Sequence, residues 1–132
     1  MTLITKNEFI KCLVQYCLKS GQKGLPRRQR DKHILLKSAS LLFDSYKIYS
    51  EAEVNSLLRL WIAAVAIRLE IDHVTLRSEL VAEGYLERDD AGFVYTIGLP
   101  DMIAVGYDKA VDSINILWAV IELLQTMARN AA

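Results

Sequence analysis

The stretch DHVTLRSELVAEGYLERDDAGFVYTI, residues 72–97, decides the fold because it combines a short helix with two strands. Asp72 is a residue type that caps helix N-termini, and Gly84 suits the left-handed position just past a helix C-terminus. The segments YLER and FVYTI have strand character, and the acidic sequence DDAG between them supplies a tight turn. This stretch predicts a helix followed by a β-hairpin.

Helical patterns flank this stretch on both sides. Thr5 and Ser50 each begin a capping box, because a glutamate follows three residues later. Pro26 can open another helix, since its missing amide costs nothing in the first turn. Residues 44–49 form a connection, and a last helical pattern runs from about residue 101 to 129. The predicted class is mainly α (α+β), with a winged helix-turn-helix core, a two-stranded hairpin wing, and flanking helices at both ends.

The length of 132 residues fits one domain. We predict a winged-helix core over residues 25–97, an N-terminal helical arm over residues 1–24, and a C-terminal helix within residues 98–132. An apolar face of that last helix predicts a homodimer, although the helix folding back on its own domain remains the alternative. The predicted interface residues are Ile114, Leu117, Trp118, Ile121 and Leu124.

Composition indicates a cytoplasmic protein without a membrane segment. The chain is 52% hydrophobic, but its longest apolar runs are far shorter than the ~20 residues of a spanning helix. The N-terminus lacks the pattern of a secretory signal. Cys12 and Cys17 lie five apart, which fits neither a zinc site nor a redox motif, so we predict a reduced, buried pair. No metal and no cofactor are expected.

Three segments of the chain resemble a bacterial family labelled domain of unknown function 2087. They are LPRRQRDKHILL, YSEAEVNSLL and DHVTLRSELVAEGYLERDDAGFVY, and the resemblance covers residues 25–97. Members of that family occur alone or attached to winged-helix regulators. The resemblance therefore implies this fold and a regulatory setting, and it carries no established activity. Members often have LRR where this chain has Leu76, Arg77 and Ser78, so a hydroxyl replaces an expected positive charge.

Double-stranded DNA is the partner that this fold suggests first. A helix that enters the major groove needs donors for base edges near its N-terminus. The predicted groove-reading residues are His73, Thr75, Arg77 and Ser78. The same helix also carries Glu79 and Glu83, and carboxylates that face phosphates lower affinity.

The net charge is zero, but the bases are concentrated in one part of the chain. Residues 19–37 contain seven basic residues and one acidic residue, whereas residues 70–90 contain seven acidic and two basic residues. The predicted phosphate-binding residues are Arg27, Arg28, Arg30 and Lys32. The alternative is a solvated helix start that pairs with acidic residues.

The sequence also bears on two other classes of function, a protein-interaction module and an enzyme. A protein-interaction module would keep the fold and bind a basic or hydrophobic partner through the acidic wing and the apolar helix. DNA binding instead requires the basic stretch and the helix after Asp72 on one face. An enzyme is not expected, since no acid, base and nucleophile converge in the sequence. We predict surface positions for His33 and His73, and packing roles for Trp61 and Trp118.

Overall fold

A computed structural model describes residues 2–19, 21 and 23–131; Met1 and Ala132, at the ends of the predicted arm and C-terminal helix, lie outside these ranges. Within them the chain forms six α-helices and one small antiparallel sheet, which confirms the predicted mainly α (α+β) class. The elements are α1 (Lys6–Leu13), continued by a π-helical turn (Val14–Lys19), α2 (Gln29–Ser40), β1 (Tyr49–Ser50), α3 (Glu51–Ala64), α4 (His73–Ala82), β2 (Leu86–Arg88), β3 (Val94–Ile97), a 3-10 turn (Pro100–Met102), α5 (Lys109–Asp112) and α6 (Ile116–Ala131).

Two of the predicted helix starts are confirmed by their hydrogen bonds. The Ser50 hydroxyl accepts from the amide of Glu53 at 3.2 Å, and the Glu53 carboxylate accepts from the amide of Ser50 at 3.0 Å. The Asp72 carboxylate accepts from the amide of Thr75 at 2.7 Å. Both caps satisfy amides that a helix leaves without partners at its first turn.

The predicted capping box at the start of α1 forms only in part. The Thr5 hydroxyl accepts from the amide of Glu8 at 3.2 Å, as predicted. The Glu8 carboxylate instead accepts hydrogen bonds from the guanidinium of Arg30 on α2. A charge-assisted, two-pronged contact is stronger than the neutral bond that would close the box, so the carboxylate turns toward α2.

The predicted two-stranded hairpin is confirmed, and a third strand joins it to make a three-stranded sheet. β2 pairs with β3 as expected, with Leu86 opposite Ile97. β1 adds to the other edge of β3, with Tyr49 opposite Tyr95, so the order is β1-β3-β2. The sequence predicted a connection at Tyr49 because a strand of two residues is too short to show an alternating pattern.

The sequence predicted a helical pattern from about residue 101 to 129, but the C-terminal region is not one continuous helix. Ile4 donates its amide to the Gly106 carbonyl, and Asp108 donates its amide to the Ile4 carbonyl, each at 2.9 Å. These bonds hold residues 106–108 in extended backbone against the N-terminus, which removes donors and acceptors that a helix would use. Helical structure therefore resumes only at α5, which Asp108 caps, and α6 follows after residue 115.

The buried side chains form one core that extends from Ile4 to Val120. Trp61 on α3 is fully buried, and its indole N–H donates to the hydroxyl of Ser38 on α2 at 3.0 Å. Phe9 on α1 is also fully buried, so the N-terminal arm packs into the same core as the helices that follow. Across the described ranges, no helix combines the length and the apolar character needed to cross a membrane.

Candidate nucleic-acid interface

The two carboxylates that argue against DNA contact, Glu79 in α4 and its C-cap residue Glu83, share one ammonium of α2. The Lys32 ammonium on α2 lies 2.9 Å from a carboxylate oxygen of Glu79 and 2.9 Å from one of Glu83. The hydrogen bond from Lys32 lowers the pKa of the Glu83 carboxyl, and the two carboxylates raise the pKa of the Lys32 ammonium. This cluster fixes α2 against the second half of α4, and it leaves Lys32 occupied.

The exposed side of α4 is largely uncharged. Thr75 and Ser78 are exposed, and Val74 between Asp72 and Thr75 is 48% exposed. The Thr75 hydroxyl donates to the Asp72 carboxylate at 2.9 Å, so it takes part in the helix cap. Ser78 lies one helical turn after Thr75 on the same exposed side, and its hydroxyl can donate and accept hydrogen bonds.

Arg77, a predicted groove-reading residue, is held against α3. Its guanidinium donates to the side-chain carbonyl of Asn55 and lies 3.5 Å from the Glu51 carboxylate. His73, another predicted groove-reading residue, is the first residue of α4. Its Nε2 lies 3.4 Å from the exposed guanidinium of Arg59. Arg59 is thus a cation beside the N-terminal end of α4 that sequence reasoning did not select, because it lies on the preceding helix.

Arg30, in the predicted phosphate-binding cluster, is part of the packing between α1 and α2. It donates to both carboxylate oxygens of Glu8, one at 2.7 Å, and to the carbonyl oxygens of Thr2 and Leu3 at 3.1 and 3.3 Å. The hydrogen bond from Arg30 holds the pKa of Glu8 below its ordinary value. All these partners belong to the N-terminal arm, so Arg30 ties the arm to the core.

Arg27 and Arg28 remain exposed at the start of α2. The Arg28 side chain is 69% exposed, and its nearest acid is Asp31 at 3.6 Å. Because Lys32 contacts Glu83, the start of α2 lies beside the C-terminal end of α4. Eight residues separate Glu83 from Thr75, or roughly 12 Å along a helix. The predicted phosphate-binding residues therefore lie toward the C-terminal half of α4, whereas His73 and Thr75 lie at its N-terminal end.

His33 is buried, which corrects the predicted surface position. Its side chain is 2% exposed, and its Nδ1 lies 2.8 Å from the Tyr85 hydroxyl. The Tyr107 hydroxyl donates to the His33 carbonyl at 2.7 Å and lies 2.7 Å from the Tyr85 hydroxyl. Burial lowers the pKa of the imidazole, although the Glu83 carboxylate 3.7 Å from Nε2 opposes this effect. His33 is therefore a neutral structural residue that joins α2 to the sheet.

This burial predicts that stability falls in mildly acidic solution. The folded pKa of His33 lies below its ordinary value of 6.5, so protons bind the unfolded chain preferentially. The contribution of the neutral imidazole to the free energy of unfolding is fully present above pH 6.5. It is lost as the pH falls below 6.5, by at most about 1.4 kcal/mol per pH unit for one proton. Urea unfolding at about pH 7.5 and about pH 5.5 measures this loss.

Two histidine variants provide the controls for this pH prediction. His33→Gln is expected to flatten the pH dependence in this window, whereas His73→Gln is expected to keep it. The pKa of Glu83 lies below 4.5, so that carboxylate contributes little change at these pH values. An unchanged unfolding free energy of the wild-type protein across the window would contradict the assignment.

A cavity of about 720 Å³ lies beside the end of β3. Its walls come from the end of α2, the end of β3 and the segment around residues 97–107, and most of them are apolar. The two charged residues of the lining, Lys37 and Asp112, form an ion pair at 2.7 Å. The cavity therefore presents apolar surface, and its own charges are already balanced.

The predicted dimer residues fall into two groups. Ile114 and Leu117 are half-buried against the core of their own chain. Trp118, Ile121 and Leu124 on α6 are 59%, 45% and 38% exposed. Trp61 is packed in the core, as predicted, whereas Trp118 is 59% exposed, so its predicted role in an interface stays a prediction.

The two cysteines form the reduced, buried pair that the sequence predicted. Both are free thiols, and burial raises the pKa of Cys17 to about 12. Within residues 2–19, 21 and 23–131, no group of three or more His, Cys, Asp or Glu side chains is placed to hold a metal ion.

The fold places the chain among mainly α proteins that carry a small antiparallel sheet. It belongs to the family described as uncharacterized protein conserved in bacteria (DUF2087), whose profile matches residues 23–97, more than half of the chain. The resemblance stated from the sequence is thereby confirmed. A search of curated proteins and a search of solved structures each found no match.

Proposed function

We propose that the protein is a non-enzymatic winged-helix regulator of transcription that binds double-stranded DNA through the exposed side of α4. The order α2, β1, α3, α4, β2, β3 with strands arranged β1-β3-β2 supports this proposal, because it is the order of elements in a winged helix. In such a fold α4 is the helix that enters the major groove. The proposal implies a cytoplasmic location and no membrane partner.

The observation that carries the proposal is the ion pairing of both Glu79 and Glu83 with Lys32, which balances one of their two negative charges. Without this ammonium, two carboxylates on α4 would oppose a strand with one negative charge per ~1.7 Å. With it, the side of α4 that bears Thr75 and Ser78 has small neutral side chains suited to close approach. Lys32 thus acts within the fold to make contact possible, and it is not itself a phosphate ligand in this proposal.

Phosphate contacts come from cations at the two ends of α4. Arg59 lies beside its N-terminal end, next to His73, and Arg28 follows Arg27 near its C-terminal end. The major groove is about 12 Å wide, and phosphates border it on both sides. Cations at both ends of a helix of this length can reach the two backbones while its middle faces the bases. Arg30 and Lys32 stabilise the scaffold instead.

The sharpest test is a change of charge at Ser78. Ser78→Glu places a carboxylate on the proposed contact side, and we expect it to weaken binding of a mixed-sequence duplex by about tenfold, or ~1.4 kcal/mol. Ser78→Arg is expected to strengthen binding. Fluorescence anisotropy of a labelled duplex at low salt measures both effects.

Ser45→Glu is the matched control, since Ser45 is an exposed serine on the connection between α2 and β1. Ser45→Glu changes the net charge by the same amount as Ser78→Glu, but at a position outside the proposed DNA-contacting side of α4. Equal affinities of Ser78→Glu and Ser45→Glu would show that α4 does not carry the contact. Charge reversal at both Arg27 and Arg28 should lower the salt slope by about 1 for each phosphate that these two side chains neutralise.

A protein-interaction module that does not bind DNA is the second candidate. It is favoured by the engagement of Arg30, Lys32 and Arg77 within the fold, and by the exposed apolar side of α6. Absence of duplex binding at low salt by a folded protein would favour this candidate.

A further inference from the structure

The apolar surface of α6 extends over far more of the helix than its own core covers. Ile116 and Val120 are buried, and Leu123 and Met127 are partly buried beside them. On another side of the helix, the exposed residues are Trp118, Ile121 and Leu124. Exposed apolar surface beside a buried apolar face is typical of a helix that packs against a second partner.

The exposed apolar side of α6 is free of charge. Successive residues of an α-helix are rotated by about 100°, so positions within about 60° of Ile121 share its side. These positions are Leu117, Trp118, Leu124, Gln125 and Ala128. The two charged residues of α6, Glu122 and Arg129, lie just beyond the edge. This distribution resembles the buried centre and polar rim of a protein interface.

We propose that a second copy of this chain covers this side, with the two α6 helices antiparallel and Ile121 at the two-fold axis. Trp118 and Leu124 lie three residues before and three residues after Ile121. In an antiparallel pair centred there, Ile121 meets the partner's Ile121, and Trp118 lies at the level of the partner's Leu124. The side is therefore complementary to itself, as an isologous interface requires.

Charge complementarity also selects the antiparallel arrangement. Arg129 lies near the C-terminal end of α6. Asp112, which precedes the N-terminal end of α6, pairs with Lys37 through one carboxylate oxygen and keeps a side chain that is 60% exposed. An antiparallel pair brings Arg129 toward the partner's Asp112, and it opposes the two helix dipoles. A parallel pair would place like charges beside each other at both ends. This inference does not depend on DNA binding, so the two proposals can fail separately.

The arrangement is tested by disulfide cross-linking of the full chain. The two native cysteines are buried, and the high pKa of Cys17 disfavours the thiolate that exchange requires. Ile121→Cys places two thiols at the axis, so a disulfide dimer is expected on mild oxidation. Trp118→Cys is expected to stay monomeric under denaturing electrophoresis, because its two copies are offset by about 9 Å along the helices, beyond the reach of ~7 Å for a disulfide.

Tyr46→Cys provides the rate of random collision, since Tyr46 is 99% exposed and lies outside α6. Cross-linking of Ile121→Cys well above this rate supports the proposal. Cross-linking of Trp118→Cys as fast as that of Ile121→Cys would indicate a parallel pair and overturn it. Equal rates for Ile121→Cys and Tyr46→Cys would also overturn it.

The oligomeric state gives a second measurement that needs no oxidation. The wild-type chain of 14.9 kDa is expected to sediment with twice that mass at micromolar concentration. Ile121→Glu should shift it to the monomer with an unchanged circular dichroism spectrum, whereas Tyr46→Glu should remain dimeric. A wild-type protein that is still monomeric at about 100 µM would have a free energy of association weaker than ~5 kcal/mol, and this result would overturn the proposal.

Discussion

Replacing Trp61 with alanine is expected to lower the free energy of unfolding by about 3–5 kcal/mol. Trp61 is the largest fully buried side chain and lies on α3 at the centre of the core. Its loss removes buried apolar contacts and leaves a cavity that neighbours such as Leu58 cannot fill without moving. It also leaves the Ser38 hydroxyl without the indole N–H that donates to it at 3.0 Å. Urea denaturation followed by circular dichroism measures this loss.

Two further tryptophan variants separate the effect of the lost hydrogen bond from that of the lost buried ring, and compare a buried with an exposed indole. Trp61→Phe keeps an aromatic ring and loses the N–H donor, so a smaller cost of about 1–2 kcal/mol is expected. Trp118→Ala removes an exposed indole, and under conditions that keep the chain monomeric it should change the unfolding free energy by less than about 0.5 kcal/mol. If Trp61→Ala destabilises no more than Trp118→Ala, the core described for α2 and α3 is wrong.

The second large effect is expected at Gly98. A Cβ at this position would lie 1.9 Å from the Gly84 carbonyl oxygen, which is backbone and cannot turn aside. The Gly98 amide also donates to the Tyr85 carbonyl at 3.0 Å, so movement to relieve the clash breaks that bond. Gly98→Ala should therefore cost more than about 3 kcal/mol, at or beyond the upper end of overpacking effects.

Gly24→Ala is the control for Gly98→Ala. Gly24 has a φ of +69°, but nothing lies within 4 Å of an added Cβ. Its cost is backbone strain alone, about 1–2 kcal/mol. Both variants are compared by thermal and urea unfolding. Equal costs at the two positions would show that residues 84 and 98 do not approach as closely as described.

Much of the fold could be predicted because its signals are local. The Ser50 capping box and the Asp72 cap each need only residues within three positions of one another. Gly84 has a φ of +86°, as the predicted helix stop requires. β1 and the break before α6 were missed because each depends on backbone pairing with a distant segment, β3 in one case and Ile4 in the other.

The candidate site could be predicted only in part, for the same reason. The exposure of Ser78 follows from helical periodicity. The partners of Arg30 and Lys32 do not, because Glu8, Glu79 and Glu83 become neighbours only after α1, α2 and α4 have packed. His33 likewise looked like one more polar residue in a basic stretch, whereas its bond with Tyr85 spans 52 positions. Charge counts along a sequence therefore overestimated the cations available to a ligand.

Anisotropy of the wild-type protein with a labelled mixed-sequence duplex, titrated from about 50 to 200 mM salt, tests the proposed DNA binding most directly. Arg27, Arg28 and Arg59 are the exposed cations near the ends of α4, so a log-log slope of about −3 per bound protomer is expected. No change in anisotropy at the lowest salt, from a protein shown to be folded, would contradict DNA binding as its function.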